Sequence, residues 1–409
     1  MVAPGADPGR RLSPLAMALL LLLLAALLAL HSADPWQYVH DDNGRRYSSY
    51  ARTHLALGLA RTGGRDFFFN PRTGILVPYG HHPPGLGLLL AGWFLFLGND
   101  GPRAARALPA TFHLVTALVL FGLLRRHYPG APGLMAAFAF AVVPMSSYFG
   151  KLVNFEPVVL PLMVGALLCY WRWAEGGDGR WLAPGLVLAV LGSLIDWPML
   201  LALAVVGADA ARRWRRDEGR RFLAASLAAC VSALTLAGAV TAWVSGPVGV
   251  HELATAVEFR LHLGGGYTWW QLAGKLLDYN RRYFTEPVLA ASLAAACTMT
   301  WDAARGARLP PRARLLALLG VVGIVPVVGF PSSTRYHAYW QFYLLPYATL
   351  SLAYVLDRFG PRLSRGSRQL LYAGVACWLV AASAFTLSTR YATPSRYVLK
   401  RVRVFERYL

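Results

Sequence analysis

The sequence predicts an all-α polytopic membrane protein, and three observations support that class. The chain has 409 residues, of which 56% are hydrophobic and only 15% are charged, whereas soluble domains are about a quarter charged. Several apolar runs approach the roughly 20 residues that a membrane-spanning helix needs. Arginines supply most of the net charge of +20 and lie in short connectors between those runs, as the positive-inside rule predicts. They do not line one face of a soluble domain, so we expect no nucleic-acid partner.

The first apolar run, residues 15–30, follows Arg10 and Arg11. A positive segment before an apolar run is also typical of a cleaved signal peptide. We favour an uncleaved first helix because His31 and Ala33 make a poor small-residue cleavage pair. The order of charges then places the N-terminus in the cytoplasm and the following segment outside.

Residues 32–83 form the first long polar interval and are predicted to be an external, catalytic loop. A short surface helix is expected at 48–60. The loop closes on His81 and His82, followed by two prolines that suit the first turn of the next helix.

The remaining chain alternates apolar and polar segments and is interpreted as one integral membrane domain, 1–409. Polar residues with several aromatic side chains occupy 245–286, which we predict to be a second external, amphipathic loop at the membrane surface. The tail, 389–409, is basic, and an odd helix count places it outside. Ten apolar segments follow the first, giving about eleven: 84–97, 104–124, 132–149, 153–171, 181–206, 222–244, 286–300, 315–330, 337–356 and 369–387.

Two topologies fit this pattern. If 84–97 crosses the membrane, Glu156 lies on the cytoplasmic side. If 84–97 does not cross, Arg125 and Arg126 become cytoplasmic, as the positive-inside rule prefers, and Glu156 lies outside. The second version requires 181–206 to be a hairpin of two half-helices that turns at Asp196, and we favour it because it collects the acids on one side.

The acidic pair Asp41 and Asp42 is the first candidate site. A carboxylate can act as general base towards an acceptor hydroxyl, and two adjacent carboxylates can also bind a divalent cation. The alternative is a solvated turn, because Asp-Asp-Asn-Gly is a good turn sequence. His81 and His82 could contact metal or phosphate, or could simply form a polar cap at the membrane edge.

Glu156 and Asp196 interrupt apolar segments, each directly or closely before a proline. An ionisable residue at membrane depth is by default a functional candidate; the alternative is a structural acid, with Glu156 as a helix cap. Arg335, Tyr336 and His337 open a late apolar run. Their cationic groups suit a lipid phosphate, or they snorkel to the interface.

Motifs of several enzyme classes are absent from the sequence. It contains no Walker A sequence, GxGxxG, HExxH or GxSxG. Nucleotide hydrolysis and a soluble cofactor are therefore not expected.

The order of these features resembles the GT-C membrane glycosyltransferases. The nearest group is glycosyltransferase family 39, with its protein O-mannosyltransferases and lipid A aminoarabinose transferases. In that group a first helix precedes an external loop that opens on an acidic pair, here Asp41 and Asp42. An Arg-Tyr step follows, here Arg46 and Tyr47, and the loop ends at Lys/His-Pro-Pro, here at His82.

The later part of the resemblance covers an arginine that opens the next helix, here Arg103 or Arg106, and an acid before proline, here Glu156. It extends over most of 15–245, and no single motif would suffice. The chain departs from the pattern in its Asp-Asp pair, where Asp-Glu is commoner. Glu156 stands where aspartate is usual, and Asp196 replaces a lysine.

The resemblance implies inverting transfer of a sugar from a polyprenyl-phosphate donor to a lipid, glycan or protein acceptor on the extracytoplasmic face. One acid of the pair would be the base, with a divalent metal permitted but not required. The phosphate would meet Arg335 and His337. The remaining candidate substrate-binding residues are Arg46, Tyr47, His81, His82, Arg103, Glu156, Asp196 and Tyr336.

Two other classes stay open at this point. A transporter or flippase of a lipid-linked glycan would also carry intramembrane charges and broken helices, although no paired repeats are evident. The other alternative is a structural subunit that contacts lipid and catalyses nothing. The abundance of Ala and Arg points to a GC-rich bacterial genome, which would place the protein in the inner membrane.

Overall fold

The computed structural model describes residues 13–70, 73, 75–176, 178–212, 217–264, 266–392, 394–396 and 398. Within these ranges the chain is mostly helical, as predicted. A two-stranded antiparallel hairpin, β1 (Phe67–Asn70) and β2 (Ile75–Pro78), pairs Phe67 with Pro78 and was not predicted. Short 3-10 helices cover Phe149–Lys151, Gly179–Trp181, Ala338–Leu344 and Gly360–Arg362. The α-helices are α1 (Pro14–Ala29), α2 (Asp41–Leu57), α3 (Leu59–Thr62), α4 (Gly85–Leu97), α5 (Pro102–His127), α6 (Ala131–Val142), α7 (Pro144–Ser147), α8 (Phe155–Gly176), α9 (Leu182–Ser193), α10 (Pro198–Arg212), α11 (Asp217–Leu261), α12 (Trp269–Phe284), α13 (Glu286–Ala304), α14 (Pro311–Gly329), α15 (Pro331–Tyr336), α16 (Leu345–Phe359) and α17 (Arg365–Tyr391).

Four of the described helices, α5, α8, α14 and α17, are long and apolar enough to cross a membrane. The predicted segment 132–149 is broken: α6 and the stretch from α7 to Lys151 meet at a 46° bend and qualify together as one span. Helices α1, α4, α9 and α10 are apolar but shorter. The all-α polytopic class is therefore confirmed.

One end of the bundle collects arginine ion pairs between helix termini. Arg314 at the start of α14 pairs with Glu175 of α8 at 3.1 Å, and Arg312 pairs with Asp357 of α16 at 2.7 Å. Arg358 of α16 pairs with Asp302 of α13 at 2.8 Å. We call this the arginine end. The first polar interval lies at the opposite end, which we call the site end.

Helix α4 begins and ends at the site end. Its 13 residues span about 20 Å, short of the roughly 30 Å hydrocarbon core. Trp93 of α4 donates a hydrogen bond from Nε1 to the carbonyl of Ala104 in α5 at 2.9 Å. Arg52 of α2 pairs with Asp100 at 2.6 Å, between α4 and α5. This arrangement agrees with the topology in which 84–97 does not cross.

The segment 181–206 folds as the predicted hairpin. Helices α9 and α10 are separated at Leu194–Trp197, with Asp196 at the tip. The tip docks on the end of the first polar interval. Gly85 donates its N–H to the carbonyl of Leu194 at 3.1 Å, and Trp197 Nε1 donates to the carbonyl of His81 at 3.0 Å.

This docking depends on the absence of a side chain at Gly85. A Cβ there would lie 2.3 Å from the carbonyl oxygen of Leu194, whereas a Cβ at Gly92 of the same helix would meet nothing within 4 Å. We expect Gly85→Ala to destabilise the protein by about 1–3 kcal/mol through overpacking. Gly92→Ala, the matched control, should be neutral or slightly stabilising. Thermal unfolding in detergent compares the two, and an unchanged midpoint for Gly85→Ala would contradict this packing.

The acidic pair lies on a helix and not in a turn. The predicted helix at 48–60 begins too late, because α2 starts at Asp41. Acids in the first turn favour a helix through its dipole. The Asn-Gly sequence misleads: a Cβ on Gly44 would lie 2.3 Å from the ring of Trp36, so the glycine permits close packing here.

The second polar interval folds into two helical pieces, the last part of α11 and the whole of α12. Helix α11 is interrupted at Gly246, whose φ is +56°, directly before Pro247. Helix α12 is capped by Thr268 and Gln271 in a reciprocal capping box. In the tail, the N–H of Ser395 donates to the carbonyl of Gln37 at 2.7 Å, which holds this part at the site end. The tail from 399 onwards lies outside the described residues.

Candidate functional site

A continuous chain of hydrogen bonds joins four elements at the site end. His82 lies between two partners, with Nδ1 at 2.9 Å from Asp196 Oδ1 and Nε2 at 3.0 Å from Arg260 Nη2. Tyr343 donates its hydroxyl to Asp196 Oδ2 at 2.6 Å. The ring of His82 stacks on Phe155 at a centroid distance of 4.1 Å. Four elements therefore meet at His82: the end of the first polar interval, the α9–α10 tip, α11 and the 3-10 helix before α16.

Further cationic and imidazole groups surround this chain. Burial lowers the pKa of His81 to about 4, and Arg260, His82 and Arg46 act in the same direction. The protein packed around His337 lowers its pKa to about 4, again with contributions from His82, Arg46 and Arg260. Both side chains are exposed by surface area, but they are surrounded by enough protein that desolvation lowers their pKa and favours the neutral imidazole. The positive charge of the region therefore comes from Arg46 and Arg260.

Arg260 is a buried cation, with 8% of its surface exposed. Its hydrogen bonds go to neutral acceptors, the carbonyl of Ala256 at 3.1 Å and His82. Within the described part of the chain, no carboxylate lies at ion-pair distance from it. A buried, uncompensated guanidinium is costly, so this position favours an anionic ligand.

Glu156 is 2% exposed and lies in the first turn of α8, inside the helix and not at its cap. Its Oε2 has no hydrogen-bond partner among the described residues. It lies close enough to Asp196 and Tyr339 to interact electrostatically with both. Tyr339 in turn stacks on His337 at 4.9 Å. The unpartnered oxygen can accept a hydrogen bond from a ligand hydroxyl.

Asp41 is buried in a structural contact. Its Oδ2 accepts the N–H groups of Gln37 at 2.9 Å and Tyr38 at 2.8 Å. Its Oδ1 lies 3.1 Å from Arg106 Nη2. Arg106 also donates to the carbonyl of Ser32 at 2.9 Å, so this contact ties the end of α1 to α2 and α5.

Asp42 contacts two arginines of its own helix. It pairs with Arg45 at 2.9 Å and with Arg46 at 3.3 Å. Arg46 also influences His337 and His81 electrostatically, so Asp42 is linked to the His82–Arg260 region through this arginine. Of the two acids, Asp42 is thus the one connected to that region.

Several predicted site residues lie elsewhere. Arg103 is exposed, and Arg106 is the arginine of α5 that meets the acidic pair. Arg335 donates to the carbonyls of Leu263 and Gly264, each at 3.2 Å, so it fastens the second polar interval. Tyr336 is exposed beside it, whereas Tyr47 is buried against Phe155 at 4.9 Å. Their roles in substrate binding stay predictions.

The acidic pair does not fit a metal ion. Carboxylate oxygens are suitable ligands for hard cations, but those of Asp41 and Asp42 lie against three arginines. Among the described residues, no group of three or more His, Cys, Asp or Glu side chains could hold a metal.

Sequence reasoning missed two residues of the site. Arg260 stands between Phe259 and Leu261 in an amphipathic piece, and a charge in that apolar context was the available signal. Tyr343 lies in an aromatic-rich run and carried no signal in the sequence.

Comparison with known proteins agrees with this architecture. Residues 81–244 match the family model described as dolichyl-phosphate-mannose-protein mannosyltransferase. Among solved structures, ArnT from Cupriavidus metallidurans bound to undecaprenyl phosphate superposes with a TM-score of 0.61 at 18% identity, covering 88% of this chain and 63% of that one. The oligosaccharyltransferase AglB from Archaeoglobus fulgidus, in complex with an inhibitory peptide and a dolichol-phosphate, superposes with a TM-score of 0.55 at 14% sequence identity. The match covers 93% of this chain and 56% of AglB. No curated protein matches.

A second AglB structure, a complex with Zn and sulfate, has a TM-score of 0.59 at 16% identity, covering 93% of this chain and 54% of AglB. The chain thus spans less than two thirds of the length of these proteins. At these identities the likeness concerns the fold. The chain has the GT-C fold of polytopic membrane glycosyltransferases, as the sequence predicted.

Proposed function

We propose that this protein transfers a sugar from a polyprenyl-phosphate donor to an acceptor hydroxyl, and that Arg260 binds the donor phosphate. The uncompensated burial of Arg260 is the observation that carries the proposal. A guanidinium forms short, charge-assisted hydrogen bonds to phosphate. Arg46 adds a second positive charge close to the same imidazoles.

The phosphate is the leaving group of such a reaction, so its negative charge grows as the bond to the sugar breaks. Preorganised cations at the position of developing charge are the largest single source of catalysis in many enzymes. Arg260 is held by two hydrogen bonds before any ligand arrives. It therefore has the preorganisation that the step requires.

We assign the general base to Asp42. The acceptor oxygen attacks the anomeric carbon from the face opposite the phosphate. The bond between the anomeric carbon and the bridging phosphate oxygen breaks as the new bond forms, and the acceptor proton passes to the Asp42 carboxylate. One displacement inverts the anomeric configuration. Asp42 pairs with Arg46, which lies near His81 and His337. Asp41 instead pairs with Arg106.

Glu156 is the proposed sugar ligand. Its Oε2 is buried and unpartnered among the described residues, and sugar hydroxyls are donors of the required kind. Asp196 uses both carboxylate oxygens within the protein, so its direct contact with the sugar stays a prediction.

The oligosaccharyltransferase of Archaeoglobus fulgidus has been crystallised with Zn and sulfate. The reaction proposed for this chain uses no metal at the acidic pair, because Arg45, Arg46 and Arg106 neutralise the two carboxylates. These guanidinium groups supply the positive charge that a cation would bring to the carboxylates.

We place the site on the extracytoplasmic face. Arg125, Arg172 and Arg314 lie at the opposite end of the bundle, and short cytoplasmic connectors are the ones rich in arginine. The acceptor and a lipid-linked donor would then meet outside the cytoplasm, at the outer face of the bacterial inner membrane.

Transfer from a panel of radiolabelled polyprenyl-phosphate sugars, with the purified protein in lipid nanodiscs, tests the proposal. Arg260→Ala should lower kcat/KM by about 10²–10³-fold, the cost of losing one preorganised donor. Arg180→Ala is the control, since Arg180 is exposed at the arginine end and pairs locally with Asp178 at 2.7 Å.

Two outcomes would contradict the proposal. Equal turnover by Arg260→Ala and Arg180→Ala would remove Arg260 from the site. No turnover with any donor, together with movement of a lipid-linked glycan across proteoliposomes, would favour the transporter.

A further inference from the structure

Arg260 is held in place by His82, which is in turn held by Asp196. The proton positions around His82 follow from its two partners. Arg260 has only donor groups, so the Nε2 atom that it approaches at 3.0 Å must carry a lone pair. A neutral imidazole with a free Nε2 carries its proton on Nδ1, and Nδ1 lies 2.9 Å from Asp196 Oδ1. The carboxylate therefore accepts the proton that fixes this tautomer.

Asp196 is itself held rigidly. It is fully buried and also accepts hydrogen bonds from the Tyr343 hydroxyl at 2.6 Å and the Trp197 N–H at 2.9 Å. The ring of His82 is clamped on Phe155, with an interplanar angle of 13°. Neither group can rotate without losing these contacts.

We propose that Asp196 is a positioning residue, which holds His82 as the neutral Nδ1–H tautomer so that Nε2 keeps the Arg260 guanidinium aimed at the donor phosphate. This inference rests on the proposed function and adds an orienting pair behind the phosphate ligand.

The arrangement predicts that phosphate binding is lost below a limiting pH, which we call the acid limit. A proton on Nε2 would remove the acceptor and place an imidazolium against Arg260. The charged and titratable groups that face His82 are Asp196, Arg260 and His81, with Tyr79 stacked at 6.2 Å and His337 nearby. Burial and Arg260 lower the pKa of His82, against the opposing effect of Asp196. Binding should thus fail below the ordinary histidine range near 6.5.

The test measures binding of sugar-free polyprenyl phosphate to the full-length protein in nanodiscs. Asp196→Ala, His82→Ala and Arg260→Ala should each weaken binding about 10-fold, as expected for losing a charged hydrogen bond. Asp196→Ala combined with Arg260→Ala should bind no more weakly than Arg260→Ala alone, because Asp196 acts through Arg260.

The conservative variant separates positioning from folding. In Asp196→Asn the amide oxygen still accepts the Nδ1 proton, so binding at pH 8 should stay close to wild type. The acid limit should move to lower pH, because the carboxylate that favours the imidazolium is gone. A structural role alone would not move this limit.

Three results decide the matter. If Asp196→Ala and His82→Ala bind normally while Arg260→Ala binds weakly, the positioning role is overturned and the proposed function stands. If the effects of Asp196→Ala and Arg260→Ala multiply, Asp196 acts independently of the arginine. If Arg260→Ala binds like wild type, the proposed function fails as well.

Discussion

Asp42→Asn is expected to lower kcat for sugar transfer by about 10²–10⁴-fold, the usual contribution of a positioned general base. The amide keeps the size of the carboxylate but cannot take the acceptor proton. Binding of the donor should persist, because the phosphate ligand Arg260 is untouched. Single-turnover transfer from a polyprenyl-phosphate sugar, measured alongside donor affinity, separates the two effects.

Asp41→Asn is the matched control, since it makes the same chemical change one residue away. Asp41 is bound to two backbone N–H groups and Arg106, so its loss should act on stability and leave turnover of the folded fraction within a few fold. A large loss of turnover in Asp41→Asn with normal turnover in Asp42→Asn would reverse the assignment of the base.

The class, the break at Asp196 and the two long polar intervals could be predicted because they depend on local composition. An acid next to Trp-Pro between two apolar runs marks a turn whatever packs around it. The same local rules failed at the start of α2, where Asn-Gly indicated a turn. Packing of Trp36 on Gly44 decides that helix, and such a contact between separate segments leaves no trace in a window of sequence.

The candidate site was predictable in its acids and histidines but not in its connections. His82, Glu156 and Asp196 stood out because each is polar in an apolar setting. Their partners did not: His82 meets Asp196 across 114 positions and Arg260 across 178. Arg335 attracted attention for its position beside His337, yet its donors are used by carbonyls of the second polar interval.

We also expect a large loss of stability when the ion pair between Asp41 and Arg106 is broken. Both side chains are at most 10% exposed, and removing one partner of a buried ion pair costs about 3–5 kcal/mol, because the other charge is left uncompensated. Arg106→Met should therefore lower the thermal midpoint in detergent more than Asp41→Asn, since it also gives up the stacking of the guanidinium on Trp36 at 4.4 Å.

The double variant Asp41→Asn with Arg106→Met shows whether the cost is electrostatic. Removing both charges leaves neither uncompensated, so the double variant should be more stable than Arg106→Met alone, and the two effects should be strongly non-additive. Strict additivity would mean that Arg106 stabilises the protein through its carbonyl contacts and Trp36 only. In that case the structural task of Asp41 would reduce to accepting the N–H groups of Gln37 and Tyr38, and the assignment of the base to Asp42 would lose the support of the Arg106 ion pair.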